Sequence, residues 1–80
     1  MPKRKIPEHQ LKRIREISLF IKSYRTNECL SQTEFSEITS NHINTIQRFE
    51  AGDKNFSILT LFNCIDGMGL SLSQFFEGME

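Results

Sequence analysis

The chain's eighty residues carry ten basic and ten acidic side chains, two cysteines and 38% apolar residues, enough for one small core that buries roughly 60% of the unfolded surface. No apolar run approaches the roughly 18 residues of a membrane span, and Cys29 and Cys64 have neither metal-ligand spacing nor the density of a disulfide scaffold, so a reducing cytoplasm fits and both read as small, at least half-buried residues. The net charge of zero hides a division: residues 1–25 hold eight bases against Glu8 and Glu16, and residues 26–80 hold Arg48 and Lys54 against eight acids, +6 against −6, which points the N-terminal quarter toward a polyanion.

Residues 1–7, with two prolines and the consecutive bases Lys3, Arg4 and Lys5, read as an extended basic arm. The arm lacks the apolar stretch of a signal peptide. Residues 8–80 read as one all-α domain. Leu11, Ile14, Ile17, Ile21 and Tyr24 recur at steps of three or four, with Phe20 at the margin, and predict a helix from about Glu8 to Arg25. Leu19 points away from that stripe, and Arg25 falls on it, where an arginine needs a carboxylate partner.

Three later helix starts share one local pattern. Ser31 with Glu34 forms a capping box behind Leu30 and Phe35 as a hydrophobic staple, predicting a helix from Gln32 to Thr39. Ser57 caps a helix from Ile58 to Met68, with Phe56 stapled to Leu61 and Gly69 past the end. Ser71 with Gln74 boxes a short helix from Leu72 to about Glu77, with Leu70 stapled to Phe75. Gly67 inside the last turn of its helix weakens it slightly. Phe75 and Phe76 crowd so short a helix that one of them is either a subunit contact or a satellite of the core.

The remaining helix runs through Asn44-Thr45-Ile46-Gln47-Arg48-Phe49-Glu50-Ala51-Gly52. Ile46, Phe49 and Glu50 lie toward one side and Asn44, Gln47 and Arg48 toward the other, with Gly52 as the stop. Its entry, Thr39-Ser40-Asn41-His42, is irregular: Asn41 or Ser40 is the expected cap, and Asn is the residue expected to tolerate a left-handed backbone. No alternation or hairpin turn predicts a strand, and no nucleophile, base and orienter recur at a catalytic spacing. The fold class expected is all-α, with five helices.

The run Leu30-Ser31-Gln32-Thr33-Glu34-Phe35-Ser36-Glu37, then Thr45-Ile46-Gln47-Arg48-Phe49-Glu50-Ala51-Gly52, then Asn55-Phe56-Ser57-Ile58-Leu59-Thr60-Leu61 and finally Met68-Gly69-Leu70-Ser71-Leu72 resembles the phage repressor and Cro-type (XRE-like) helix-turn-helix family. The likeness needs no gap from about Arg25 to Phe76. It departs from the family's usual glycine at Ser40, small aliphatic at Asn41, hydroxyl cap at His42, base at Asp53 and proline at Phe56.

The resemblance implies a compact five-helix, lambda-repressor-like DNA-binding domain with its helix-turn-helix at about 31–51, and an ion pair between Arg25 and Glu50. It implies that the second helix of the motif enters the major groove of double-stranded DNA. The residue types permit this: Arg48 can pair bidentately with guanine and Asn44 with adenine, while Ile43 and Thr45 offer methyls to thymine. Ile43 serves equally well as a packing residue. Gln47 shares the polar side, and Gln32 reaches the edge of the site. Lys3, Arg4, Lys5, Ser31, His42, Lys54 and Asn55 are phosphate candidates.

The function expected is a small autoregulatory repressor or controller that binds a palindromic operator as a homodimer, with Phe75 and Phe76 as the interface. The alternative is an antitoxin-like or adaptor module that uses the same fold to bind a protein. Neither reading calls for an enzyme activity, a cofactor, a metal, a membrane or a small-molecule ligand.

Overall fold

The computed structural model describes residues 5–79, so Lys3 and Arg4 of the arm lie outside the described residues. Among these it holds five helices and no strand: α1 Glu8–Asn27, α2 Gln32–Ile38, α3 Ile43–Glu50, α4 Ile58–Gly67 and α5 Leu72–Gly78. Lys5, Ile6 and Pro7 precede α1 without regular structure.

The starts of α2, α4 and α5 form as their sequences predict. Ser31, Ser57 and Ser71 each accept a hydrogen bond from the N–H three residues on, and both capping boxes close. Hydrogen bonds from the backbone N–H and hydroxyl of Ser31 hold the Glu34 carboxyl below the usual carboxylate range. Leu30, Phe56 and Leu70, the residue before each cap, pack half-buried on the cluster that contains Phe35, Leu61 and Phe75. The caps supply the hydrogen bonds and the apolar residues behind them set the angle at which the chain enters each helix.

The helix ends follow an equally regular pattern that is harder to see in the residues. At α1 to α4 the chain turns through one left-handed residue, in order Cys29, Ser40, Gly52 and Gly69. The next N–H then reaches back to a carbonyl five residues earlier: Leu30 to Arg25, Asn41 to Ser36, Asp53 to Arg48 and Leu70 to Ile65, all at 3.0–3.2 Å. This is the Schellman closure, four times over. Glycine takes the left-handed position without penalty at Gly52 and Gly69, while Cys29 and Ser40 hold it at a cost of about 1–2 kcal/mol each. The left-handed residue at the irregular entry is therefore Ser40, where the residue types pointed to Asn41.

Ile21, Phe35, Ile46, Phe49, Leu61, Cys64, Ile65, Met68 and Phe75 form the core, contributed by all five helices. Each large apolar side chain buried there contributes roughly 1.5–3 kcal/mol relative to exposure. Phe75 meets Phe20 edge to face at 5.1 Å, and Phe49 meets Phe56 the same way at 4.7 Å. The stripe of α1 joins this packing from Ile17 onward, and Leu11 and Ile14 stay half-buried outside it. Leu19 is exposed. Cys64 is in the core, where burial pushes its thiol up to about 12; Cys29, expected to be at least half-buried, is exposed in the α1–α2 turn. Phe75 is wholly enclosed within its own chain and Phe76 is exposed, so the expectation that Phe75 takes part in a subunit contact is withdrawn.

Gly67 also has a different role from the weakness its helix propensity predicts. A Cβ placed on it would lie 2.7 Å from the Ile38 carbonyl oxygen and 2.8 Å from the Thr39 Cα. The end of α4 thus touches the backbone at the end of α2, and only a residue with no side chain fits.

Two substitutions of opposite sign test these backbone positions by urea denaturation. Gly67→Ala is expected to destabilise by about 1–3 kcal/mol through overpacking against fixed backbone, overriding the helix-propensity gain. Ser40→Gly is expected to stabilise by up to about 1 kcal/mol by relieving the left-handed strain.

Candidate nucleic-acid interface

Helix α3 carries five of the six side chains expected to contact bases, Ile43, Asn44, Thr45, Gln47 and Arg48, and a charged junction sets its position. The Arg25 guanidinium at the end of α1 grips Glu50 at the end of α3 with a fork: Nε donates to Oε2 at 2.6 Å and Nη2 donates to Oε1 at 2.8 Å. Its remaining nitrogen, Nη1, donates to the Leu30 carbonyl at 2.8 Å, and Gln32 Nε2 donates to Glu50 Oε1 at 3.1 Å. The Arg25 side chain is 12% exposed and that of Glu50 3%. Among the described residues this is the one salt bridge, and it is the pair that the resemblance implies. The hydrogen bond to Glu50 raises the Arg25 pKa above its ordinary value, against the opposing effect of burial. A bidentate, charge-assisted pair that is satisfied on its remaining donor and acceptor is the form in which buried charge is tolerated.

At its other end α3 is capped by His42, whose Nδ1 accepts the Asn44 N–H at 3.2 Å. The expected caps, Asn41 and Ser40, do something else. Ser40 makes the left-handed turn, and Asn41 turns inward: its Nδ2 donates to Thr39 Oγ1 at 3.2 Å and approaches Cys64 Sγ at 3.4 Å and the Thr60 carbonyl at 3.5 Å, while its Oδ1 accepts from Asn63 at 3.3 Å. Asn41 therefore fastens the α2–α3 turn to α4.

With both ends held, the helix divides as its sequence predicts. Ile46 and Phe49 are fully buried, Asn44, Gln47 and Arg48 are exposed, and Ile43 and Thr45 lie between. Among the described residues the Asn44, Gln47 and Arg48 side chains make no internal hydrogen bond, so their donors and acceptors face outward. Thr45, Arg48 and Asn55 line one shallow hollow together with Asp53, Phe56 and Ser57. Lys54 is exposed on the loop beside it.

The other candidates sit further away or carry a second duty. Ser31 is occupied as the cap of α2, its hydroxyl accepting the Glu34 N–H at 3.0 Å. Gln32 spends one amide hydrogen on Glu50 and keeps its carbonyl. Lys5 is exposed ahead of α1 and is not among the residues that line this hollow.

Asp53 is the side chain of the hollow whose role residue-by-residue reading missed. Its Oδ1 accepts the Asn55 N–H at 2.9 Å, an Asx turn that fixes the loop and plants a carboxylate beside Arg48. The signal was present in the spacing, since Asp followed two residues later by a backbone donor is what an Asx turn requires. Protein-family models give no match to this chain, and none of the curated proteins compared with it matches.

The Arg25 junction predicts a large and specific loss. Arg25→Ala is expected to destabilise by about 3–5 kcal/mol, because Glu50 is then buried without its charged partner. Arg25→Lys should recover only part of it, since an ammonium cannot present the fork. Thermal and urea melts of both variants measure the difference.

Proposed function

We propose that this chain is a sequence-specific DNA-binding transcriptional regulator in which α2, the Thr39–His42 turn and α3 act as a helix-turn-helix, and the five helices as a lambda-repressor-like domain. The observation that carries the reading is a short helix clamped at both ends and along its apolar side, whose Asn44, Gln47 and Arg48 side chains point outward unengaged. A reader of base edges needs this combination, because its discrimination depends on donors and acceptors held at fixed positions. The likeness of four stretches of the chain to phage repressor and Cro-type proteins supports the same reading.

In this proposal Arg48 pairs with guanine and Asn44 with adenine, each contributing roughly 1–3 kcal/mol of discrimination. Thr45 and Ile43 meet thymine methyls, and Gln47 and Gln32 border the same site. Ser31, His42, Lys54 and Asn55 are the phosphate contacts around it, and Lys3, Arg4 and Lys5 add affinity by counterion release. One such helix spans only a few base pairs, so two copies act on a two-fold operator with half-sites roughly 34 Å apart. The work is binding without catalysis or a cofactor.

A second reading, in which the same fold docks a protein, draws support from the −6 body and from the exposed apolar side chains of α4 and α5. It predicts DNA-independent co-purification with a neighbouring gene's product and no salt-dependent shift of DNA.

Electrophoretic shifts on the promoter region of the protein's own gene test the first reading. Binding is expected to weaken linearly in log salt. Replacing Lys3, Arg4 and Lys5 together by alanine should reduce that slope by about 3 if each contacts one phosphate. Arg48→Ala should instead relax base choice at one position of each half-site. Absence of any sequence preference in the unmodified chain would discard the proposal.

A further inference from the structure

Asp53 is the acid among the side chains that line the hollow beside α3, and the backbone around it fixes where it stands. Its N–H donates to the Arg48 carbonyl at 3.0 Å, in the closure that follows left-handed Gly52. Its Oδ1 accepts the Asn55 N–H at 2.9 Å. The carboxylate is thereby tied to the backbone of the same residue whose side chain shares the hollow, and its Oδ2 accepts no hydrogen bond among the described residues. The Arg48 guanidinium, by contrast, sits on a long, exposed stem. It pairs with no acid among the described residues, whose one salt bridge joins Arg25 and Glu50.

A guanidinium beside DNA meets two kinds of partner. Phosphate oxygens lie at every register and carry no sequence information, whereas guanine O6 and N7 lie at few. A lone arginine therefore raises non-specific affinity along with specific affinity. The hollow, about 200 Å³ and lined by polar side chains apart from Phe56, has room for a phosphate group next to Arg48, and a carboxylate fixed there repels one. Guanine is neutral and engages only two of the five guanidinium N–H donors, which leaves others to face Asp53. Lys54, exposed next along the chain, does not line the hollow, so its ammonium stays with the phosphates outside.

We propose that Asp53 is a specificity-determining residue that acts by positioning Arg48, keeping its guanidinium off the phosphates and leaving it to guanine. On non-specific DNA the guanidinium turns to the free oxygen of Asp53 and adds little to binding. At the preferred sequence it bridges Asp53 and the base, and the carboxylate then sets the plane in which the fork meets guanine. The inference rests on the DNA-binding reading and adds to it the residue that separates base from backbone.

Fluorescence anisotropy of the full chain on two duplexes tests the assignment: the sequence that the unmodified chain selects from a random library, and a scrambled duplex of the same length and composition. Asp53→Asn keeps an oxygen for the Asx turn and removes only the charge, so urea melts should match those of the unmodified chain. The variant is expected to bind scrambled DNA more tightly, with the slope of log K against log salt steeper by about 1 as Arg48 gains a phosphate. The selected duplex gains less, since guanine already engages Arg48 there. The ratio of the two affinities should fall by about tenfold, within the range that one bidentate base contact supplies. Adding Arg48→Ala to Asp53→Asn should abolish the steepening, whereas Lys54→Ala should lower the slope by about 1 with either residue at position 53. An unchanged ratio overturns the proposal, and so does a steepening that survives Arg48→Ala, which would be net charge alone. A library that yields no preferred sequence refutes the DNA reading and this assignment with it, while a selected sequence that Asp53→Asn prefers as strongly as the unmodified chain does refutes this assignment alone.

Discussion

The junction of Arg25 and Glu50 is the constraint on which the arrangement depends. It joins the end of α1 to the end of α3, and through the Leu30 carbonyl and Gln32 it also takes in the start of α2. Three helices thus converge on one guanidinium and one carboxylate, groups whose geometry leaves little freedom. Apolar packing of Ile46 and Phe49 alone would let α3 slide or roll, since the hydrophobic effect is not directional. The fork removes that freedom, and the direction in which Asn44, Gln47 and Arg48 point follows from it. Stability and aim reside in the same pair.

A second fastening acts on the turn before α3. Asn41 reaches the α4 side chains and backbone, His42 closes the helix start, and Gly67 lets α4 approach the end of α2 to within contact of the backbone. The exposed polar side of α3 is therefore supported from beneath at both ends, by α1 on one side and α4 on the other. The acid at Asp53 lies at the border of this rigid region, fixed by its own loop and sharing a hollow with Arg48.

Much of the helical pattern was legible because helix starts obey short-range rules: a serine, an acid or amide three residues on, and an apolar residue before it. The charge of Arg25 on an apolar stripe announced a partner before any partner was visible. What stayed hidden was tertiary. Nothing local distinguishes Phe75 from Phe76, and only the position of Phe20 and the core decides that the first is enclosed. Gly67 looks like a helix weakness until Ile38 and Thr39 are known to lie against it. His42 escaped as a cap because imidazole is outside the usual set of capping side chains, and Asn41 was drawn inward by an α4 backbone far along the chain. Of the candidate contacts, Thr45, Arg48 and Asn55 line one hollow, a grouping that no spacing in the sequence encodes.

The repeated Schellman closures have a bearing on how this chain tolerates changes in length. Three of the four connections, residues 28–31, 39–42 and 68–71, consist of the same four roles in the same order: helix end, left-handed residue, returning N–H and N-cap of the next helix. Each behaves as a corner piece of set angle, with the end of one helix and the start of the next sharing a single turn. One inserted residue would break the Schellman closure or the cap that follows it, and with it the angle between the two helices. The α3–α4 connection, residues 51–57, has three residues more, and its slack lies around Lys54, at the edge of the hollow beside Arg48. Insertions and deletions should therefore be found at that loop and almost nowhere else, making it the place where the surface around α3 can be remodelled while the helices keep their mutual angles.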